Sequence, residues 1–400
     1  MASRIDWVAA SCRLLSAIGA EFEETRPFAD VTIGTGIHLE PKTAALLMTL
    51  QRGGANLVST GNLNSTQAEI VDYLRKHGVT VIGGPTSDPA VHDRDLLEVI
   101  AAKPDLILDN GGDLFTRYLD RPWDTLRGGT EETTSGRNRL VSLRDRLRVP
   151  ILVINDSPIK QFAENRHAVG QSVLESYLRI TNRSTQGKHV VVFGYGACGQ
   201  GVAANFRNTY ALVTVIEVDP VKRLEASLDG FDVSPREAAL SAADIVVTVT
   251  GARDILLAGD VPLLKDDVVL MNAGHFPLEI DVPGILAHPM VDSVTNAAPG
   301  LETLTLNDGR RIHLATKGHM VNLGGANPLG NSIESMDLGF ALQSRCLEAI
   351  ALGTVSSDAV VVPVPREIDE AVAEQYLVLY RKTGSATEAR HRIDEDLVPG

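Results

Sequence analysis

One stretch constrains the fold of this chain more than any other: Val190-Val191-Val192-Phe193-Gly194-Tyr195-Gly196-Ala197-Cys198-Gly199-Gln200-Gly201. Its apolar run shows no polar alternation, as expected of a strand covered on both faces. The glycines then predict a tight turn into a helix over 202–208. In the G-x-G-x-x-G spacing Gly194 allows the turn, Gly196 lets backbone approach a pyrophosphate, and Gly199 lets helix pack on strand. A pyrophosphate bound there rests on the positive end of the helix. Glycine turns are common, so the context decides. A second apolar run over 212–216 ends in Glu217-Val218-Asp219-Pro220, about twenty residues after the motif begins. Glu217 is placed to accept hydrogen bonds from the adenosine ribose hydroxyls, and its charge opposes a 2′-phosphate. The expectation is an NAD site rather than an NADP site.

A chain of 400 residues exceeds what one core usually holds, so two domains are expected. A net charge of −14 argues against nucleic acid or an anionic membrane as partner, because phosphate binding needs clustered Lys and Arg. Cys12, Cys198 and Cys346 stand singly with no C-x-x-C pair, which fits a reducing compartment and no metal site. No basic-then-apolar leader and no bilayer-length apolar run is present. The expected setting is cytoplasmic.

Along the chain, apolar spacing predicts a helix over 4–20 and then alternating strands and helices. Strands are expected at 31–39, 55–59, 79–82 and 106–109, with helices at 42–52, 66–77 and 93–102. Such alternation implies a mostly parallel sheet covered on both faces. A further strand at 150–154 leads into a long helix over 157–181, capped by Asp156 or Ser157. Beyond the glycine turn, strands are expected at 243–250 and 268–272. A hairpin joins 301–306 to 310–316 through Asn307-Asp308-Gly309. A helix over 332–352 returns the chain to the first domain. The segment after Gly384 is polar and reads as a loosely held tail.

Several polar clusters interrupt this framework. Asn155-Asp156-Ser157-Pro158-Ile159-Lys160 and Glu164-Asn165 put Lys160 and Glu164 on one helix face, which an ordinary i,i+4 ion pair explains equally well. Asp109-Asn110-Gly111-Gly112-Asp113 directly follows a strand, where open α/β sheets bind ligands, although a plain turn has the same look. The glycine-bounded segment from Gly129 to Gly136 reads as a polar loop. His38, His275 and Asn322 each follow strand-like segments, and a lone His there is as compatible with structure as with catalysis.

Taken together these clusters resemble the S-adenosylhomocysteine hydrolase family along nearly the whole chain. The resemblance runs through Ser65-Thr66-Gln67, residues 108–114, 131–136 and 155–160, 194–199, Glu217-Val218-Asp219-Pro220, 274–282 and 321–324. It implies an α/β protein of two domains: a substrate domain with a mostly parallel sheet, built from 1–156 and 328–383, and a Rossmann NAD-binding domain at 171–327. A hinge helix at 157–170 and a tail at 384–400 complete the division. It also implies a homotetramer acting on a nucleoside small molecule. In that chemistry the 3′-hydroxyl is oxidised to a ketone, a base removes the acidified C4′ proton, and the 5′ substituent leaves. The resemblance places Lys160 near the 3′-hydroxyl with Glu132 beside it, Glu164 on the ribose diol, and His38 and His275 near the 5′ position. Thr133, Thr134, Ser135, Asn165, Asn272 and Asn322 match cofactor positions, with Gly194, Gly196, Gly199 and Glu217.

The departures concern substrate reading. Asn110 stands where the family has an acid–base aspartate near the 5′ carbon, and an amide hydrogen-bonds there without exchanging a proton. Glu164 stands where the family has an aspartate. Leu329 replaces a histidine that contacts the base, Glu40 and Lys42 replace a threonine and a glutamate near it, and Val169 replaces a cysteine near the cofactor. The redox core is kept while the substrate shell has changed. The expected activity is therefore a dehydratase forming a 4′,5′-unsaturated nucleoside. The alternatives are adenosylhomocysteine hydrolysis and a catalytically silent NAD-binding regulator.

Overall fold

The computed structural model describes residues 4–381, so the expected tail at 384–400 lies outside the described residues. The chain divides into two compact units, one built from both of its ends, through Lys160 and again from Ile333, the other from Gln161–Ser332.

The first unit carries β1 (Thr32–Ile37), β2 (Asn56–Gly61), β3 (Thr80–Ile82), β4 (Leu106–Asp109), β5 (Gly128–Glu131) and β6 (Ile151–Val153), with a short strand Val362–Pro363 beside β6. All pairings are parallel, in the order Val362–Pro363, β6, β5, β4, β1, β2, β3. Parallel sheets are buried on both faces, and Leu106, Ile107 and Leu108 are fully enclosed.

Strand β5 corrects the expectation of a loop at 129–136. Its sequence, Gly128-Gly129-Thr130-Glu131, has no apolar residue, yet it lies between β4 and β6. The glycines fit because the space is missing: a Cβ on Gly129 would stand 1.9 Å from the Ile107 carbonyl oxygen. Gly128, at φ 135°, would meet the Pro150 carbonyl oxygen at 2.4 Å.

The long helix expected over 157–181 is a π-helix Lys160–Ala168 running into an α-helix Val169–Thr181, with a 3-10 turn Ile154–Asp156 before it. Ser157 is the cap, its Oγ accepting from the N–H groups of Ile159 (3.1 Å) and Lys160 (3.4 Å). Asp156 pairs instead with Arg137. The first expected helix is likewise two, Arg4–Ser11 and Arg13–Thr25, broken at Cys12. The N-terminal N–H groups of the second, on Leu14 and Leu15, donate to the buried carboxylate of Asp337 at 2.7 and 3.0 Å. Tyr380 Oη donates to the same carboxylate at 2.7 Å. Helix Ile333–Ala351, which carries Asp337, is thereby tied to both the first residues and the last described ones.

The second unit carries β7 (His189–Phe193), β8 (Leu212–Ile216), β9 (Ile245–Thr248), β10 (Val268–Asn272), β11 (Val291–Ala298), β12 (Leu301–Leu306) and β13 (Arg311–Ala315). Their order is β11, β12, β13, β10, β9, β7, β8, with β12 antiparallel to both neighbours and the rest parallel. Alternate residues of β7 feed opposite cores, Val190 and Val192 one, Val191 and Phe193 the other. The strand order reverses beside β7, and open α/β sheets bind ligands at such a switch point. The β12–β13 hairpin turns at Gly309, φ 91°. Strand β11 has no apolar periodicity to betray it, and its residues 292–297 are exposed.

Candidate functional site

In the first unit the polar residues sit at the carboxyl ends of β1, β2, β4 and β5. Asn110 follows β4 and Glu132 follows β5, and both are buried. Asn110 Nδ2 donates to Glu132 Oε2 at 2.8 Å, while Asn110 Oδ1 accepts from Asn62 Nδ2 at 3.1 Å. The other Glu132 oxygen accepts from Lys160 Nζ at 3.2 Å. Lys160 is 4 % exposed, so this pair is screened little by solvent. His38, at the end of β1, holds Ser65 Oγ at 2.5 Å through Nδ1.

Two fully buried carboxylates shape these loops, and sequence reasoning gave neither a role. Asp109 and Glu131 are register partners on β4 and β5, each one residue before a predicted site residue. Asp109 accepts from the N–H groups of Asn110 and Phe115, both at 2.9 Å. Glu131 accepts from the N–H groups of Gly111 (3.0 Å), Gly112 (2.9 Å) and Thr133 (2.7 Å), and from Thr133 Oγ1 (2.7 Å). Burial, and then the nearby Asp113 charge, push the Asp109 carboxyl up to about 7. Burial and the Asp109 charge raise Glu131 well above the usual carboxylate range. The available signal was the glycine pair Gly111-Gly112, whose positive φ angles of 97° and 72° aim both N–H groups at one acceptor.

Thr133, Thr134 and Ser135 open helix Thr134–Val141. Thr133 Oγ1 caps it by accepting from Gly136 N–H at 2.9 Å and lies 3.0 Å from Ser135 Oγ, while Thr134 Oγ1 donates to Asn155 Oδ1 at 2.8 Å. The buried Glu40–Lys42 ion pair closes at 2.8 Å.

In the second unit the glycine turn has the expected form. Gly194 adopts φ 100°, and a Cβ on Gly199 would lie 2.0 Å from the Gly194 carbonyl oxygen. A Cβ on Gly196 would meet nothing within 4 Å, so the face where a pyrophosphate approaches is open. Helix Ala197–Asn208 begins there. The Glu217 carboxylate is oriented by the N–H groups of Tyr195 (2.8 Å), Val218 (2.7 Å) and Asp219 (3.0 Å). Glu164 and Asn165 lie buried on the π-helix, a winding that often marks functional sites. Gly201 lets that helix close in, since a Cβ there would stand 1.7 Å from the Arg166 carbonyl oxygen.

Asn322 Nδ2 donates to Ser172 Oγ at 3.2 Å, and its buried Oδ1 takes no hydrogen bond. Leaving a buried acceptor unmade is costly, and a ligand N–H would satisfy it. Open backbone at Gly196, an oriented acid at Glu217 and this acceptor together fit a nicotinamide dinucleotide. Asn272 Nδ2 donates to the carbonyls of Gly274, Phe276 and Gly318, and its Oδ1 accepts from Gly274 N–H and Thr248 Oγ1. These bonds shape the loop that carries His275. Glu279, unassigned by sequence reasoning, braces the same region by accepting from Thr250 and Gly251, each at 2.8 Å. His275 stacks edge-to-face on Phe276, and Leu329 is exposed.

Residues 165–328 match the family domain described as S-adenosyl-L-homocysteine hydrolase, NAD binding domain, and residues 5–121 match S-adenosyl-L-homocysteine hydrolase. An adenosylhomocysteinase of Thermotoga maritima is 40% identical over 396 residues, covering 97% of each chain. An S-inosyl-L-homocysteine hydrolase of Methanopyrus kandleri is 38% identical and covers 92% of this chain and 88% of that protein. An adenosylhomocysteinase of Pyrococcus abyssi is 39% identical with the same coverage. The matched domain agrees with the glycine cradle, and the cofactor is NAD. With both parts matched and such relatives aligned nearly end to end, the chain belongs to the S-adenosyl-L-homocysteine hydrolase family.

Proposed function

We propose that the protein is an NAD-dependent nucleoside dehydratase. The substrate is oxidised at its 3′-hydroxyl, loses the C4′ proton, expels a 5′-hydroxyl as water and has its 3′ carbonyl reduced again. The product is a 4′,5′-unsaturated nucleoside. Bound NAD supplies the reversible two-electron oxidation at the 3′ carbon, which acidifies C4′–H. Gly194, Gly196, Gly199, Glu217, Asn165 and Asn322 hold it. Lys160, held by Glu132, moves the proton at the 3′ oxygen, and Glu164 holds the ribose diol. Hydroxide leaves poorly without a proton, and His38 or His275 donates it, since imidazole titrates near neutrality.

The observation that carries this reading is the Asn110 amide, engaged by Asn62 and Glu132. It stands where the family has an acid–base aspartate, and it orients a departing oxygen without returning a proton. Water addition, the step that completes hydrolysis, is then slow. S-Adenosylhomocysteine hydrolysis is the second reading, favoured by 40% identity to an adenosylhomocysteinase. We also propose a homotetramer in the cytoplasm.

The deciding experiment gives NAD-loaded enzyme either adenosylhomocysteine or adenine nucleosides with a free 5′-hydroxyl. Dehydration predicts a product lighter by one water, solvent deuterium at C4′ of recovered substrate, and no thiol release. Rapid homocysteine release restores the hydrolase. No absorbance of reduced nicotinamide with any nucleoside identifies a silent NAD-binding regulator.

A further inference from the structure

We propose that Asn62 is a positioning residue that fixes the direction of the Asn110 amide. The inference rests on the reading that Asn110, Glu132, Lys160 and His38 act on substrate, although its main test needs no turnover.

Asn62 directly follows β2 and is 7 % exposed. A side-chain amide donates from one end and accepts at the other. Because Asn62 Nδ2 donates to Asn110 Oδ1 (3.1 Å), Asn110 must turn its Nδ2 toward Glu132 Oε2 (2.8 Å). Glu132 receives that bond as a carboxylate, with the Lys160 ammonium on its other oxygen at 3.2 Å. The series Asn62, Asn110, Glu132, Lys160 therefore runs in one direction only. Reversing the Asn110 amide would set its Oδ1 against Glu132 Oε2, two acceptors at hydrogen-bond distance. The direction matters for the chemistry, because it leaves the second Nδ2 hydrogen of Asn110 as the group offered to a departing oxygen.

The main chain of Asn62 performs a parallel task. Its carbonyl accepts from Ser65 Oγ (3.2 Å) and Thr66 Oγ1 (2.9 Å). Ser65 Oγ also lies 2.5 Å from His38 Nδ1. The residue that directs the Asn110 amide thus also braces the segment that holds His38.

The test is a double-mutant cycle read by thermal unfolding of the NAD-loaded protein, with Asn62→Asp and Glu132→Gln. An acceptor at position 62 turns the Asn110 amide around, and an amide at 132 then donates to Asn110 Oδ1 while still accepting from Lys160. Each single change lowers Tm, and together they recover about 3 °C or more over the additive sum. Among the described residues no hydrogen bond joins the two side chains directly, so any hydrogen-bonded coupling passes through Asn110. Repeating the cycle with Asn110→Ala separates the relay from plain charge compensation. The relay predicts that coupling vanishes there. Additive losses in the first cycle, a double variant no better folded than Asn62→Asp, or coupling that survives Asn110→Ala each overturn the proposal. On any nucleoside that reduces bound NAD, Asn62→Ala should lower kcat by roughly tenfold with KM little changed. If no nucleoside reduces NAD in the parent protein, the functional reading fails while the cycle still decides the relay.

Discussion

At the scale of single residues, the least expected feature is a pair of carboxyls, Asp109 and Glu131, enclosed beside each other and held by backbone N–H groups. A carboxyl whose folded pKa lies above its unfolded one favours the fold while protonated. That advantage is full below pH about 4 and is lost as pH rises through about 7 for Asp109. Asp109→Asn removes this dependence. The variant's Tm relative to the parent should rise on the order of 2–4 °C from about pH 5 to about pH 8; a flat or falling difference contradicts the assignment. Glu217→Ala should weaken retention of NAD and narrow the preference against NADP, measured as cofactor released after gel filtration. Equal affinity of the parent protein for NADP would sink that role for Glu217. The residues proposed to react were legible because Lys160, Glu132 and His38 are types that do proton chemistry in motifs of recognisable order. Asp109, Glu131 and Asn62 were not, since their roles lie in which N–H points at which oxygen. The hydrogen bonds that hold the Asn272 amide are hidden in the sequence for the same reason.

At the scale of elements, apolar periodicity located most strands, the hairpin and the helix Ile333–Ala351. It failed where packing overrides propensity. Strand β5 exists because glycines let it approach its neighbours, and β11 has no buried face to leave a pattern. The change to π winding at Lys160–Ala168 is equally invisible, because apolar residues there suit either helix. The Asp337 carboxylate staples three elements by accepting from Leu14, Leu15 and Tyr380. Asp337→Ala leaves two buried N–H donors unmatched and should cost about 2–4 kcal/mol in denaturant unfolding. A loss within 0.5 kcal/mol, roughly the scatter of surface changes, would show that the staple contributes little.

At the scale of the whole molecule, assembly is open to direct measurement. Sedimentation at micromolar concentration should give a tetramer, and a stable monomer would refute the proposed assembly. The order in which the chain is made matters as well. Residues 161–332 form a continuous unit, whereas the first unit lacks helix Ile333–Ala351 and strand Val362–Pro363 until the chain is nearly finished. At about 5–20 residues per second the ribosome needs roughly 10–35 s to pass through the second unit. For that interval β4 and β5 lack the helix that packs on them, while the cofactor-binding unit is already free to fold. A chain stopped at residue 332 should therefore resist protease over 161–332 and be cut within 1–160, and protection of both would refute the sequence of events. NAD can then be captured while the first two fifths of the chain still wait for their closing helix and strand.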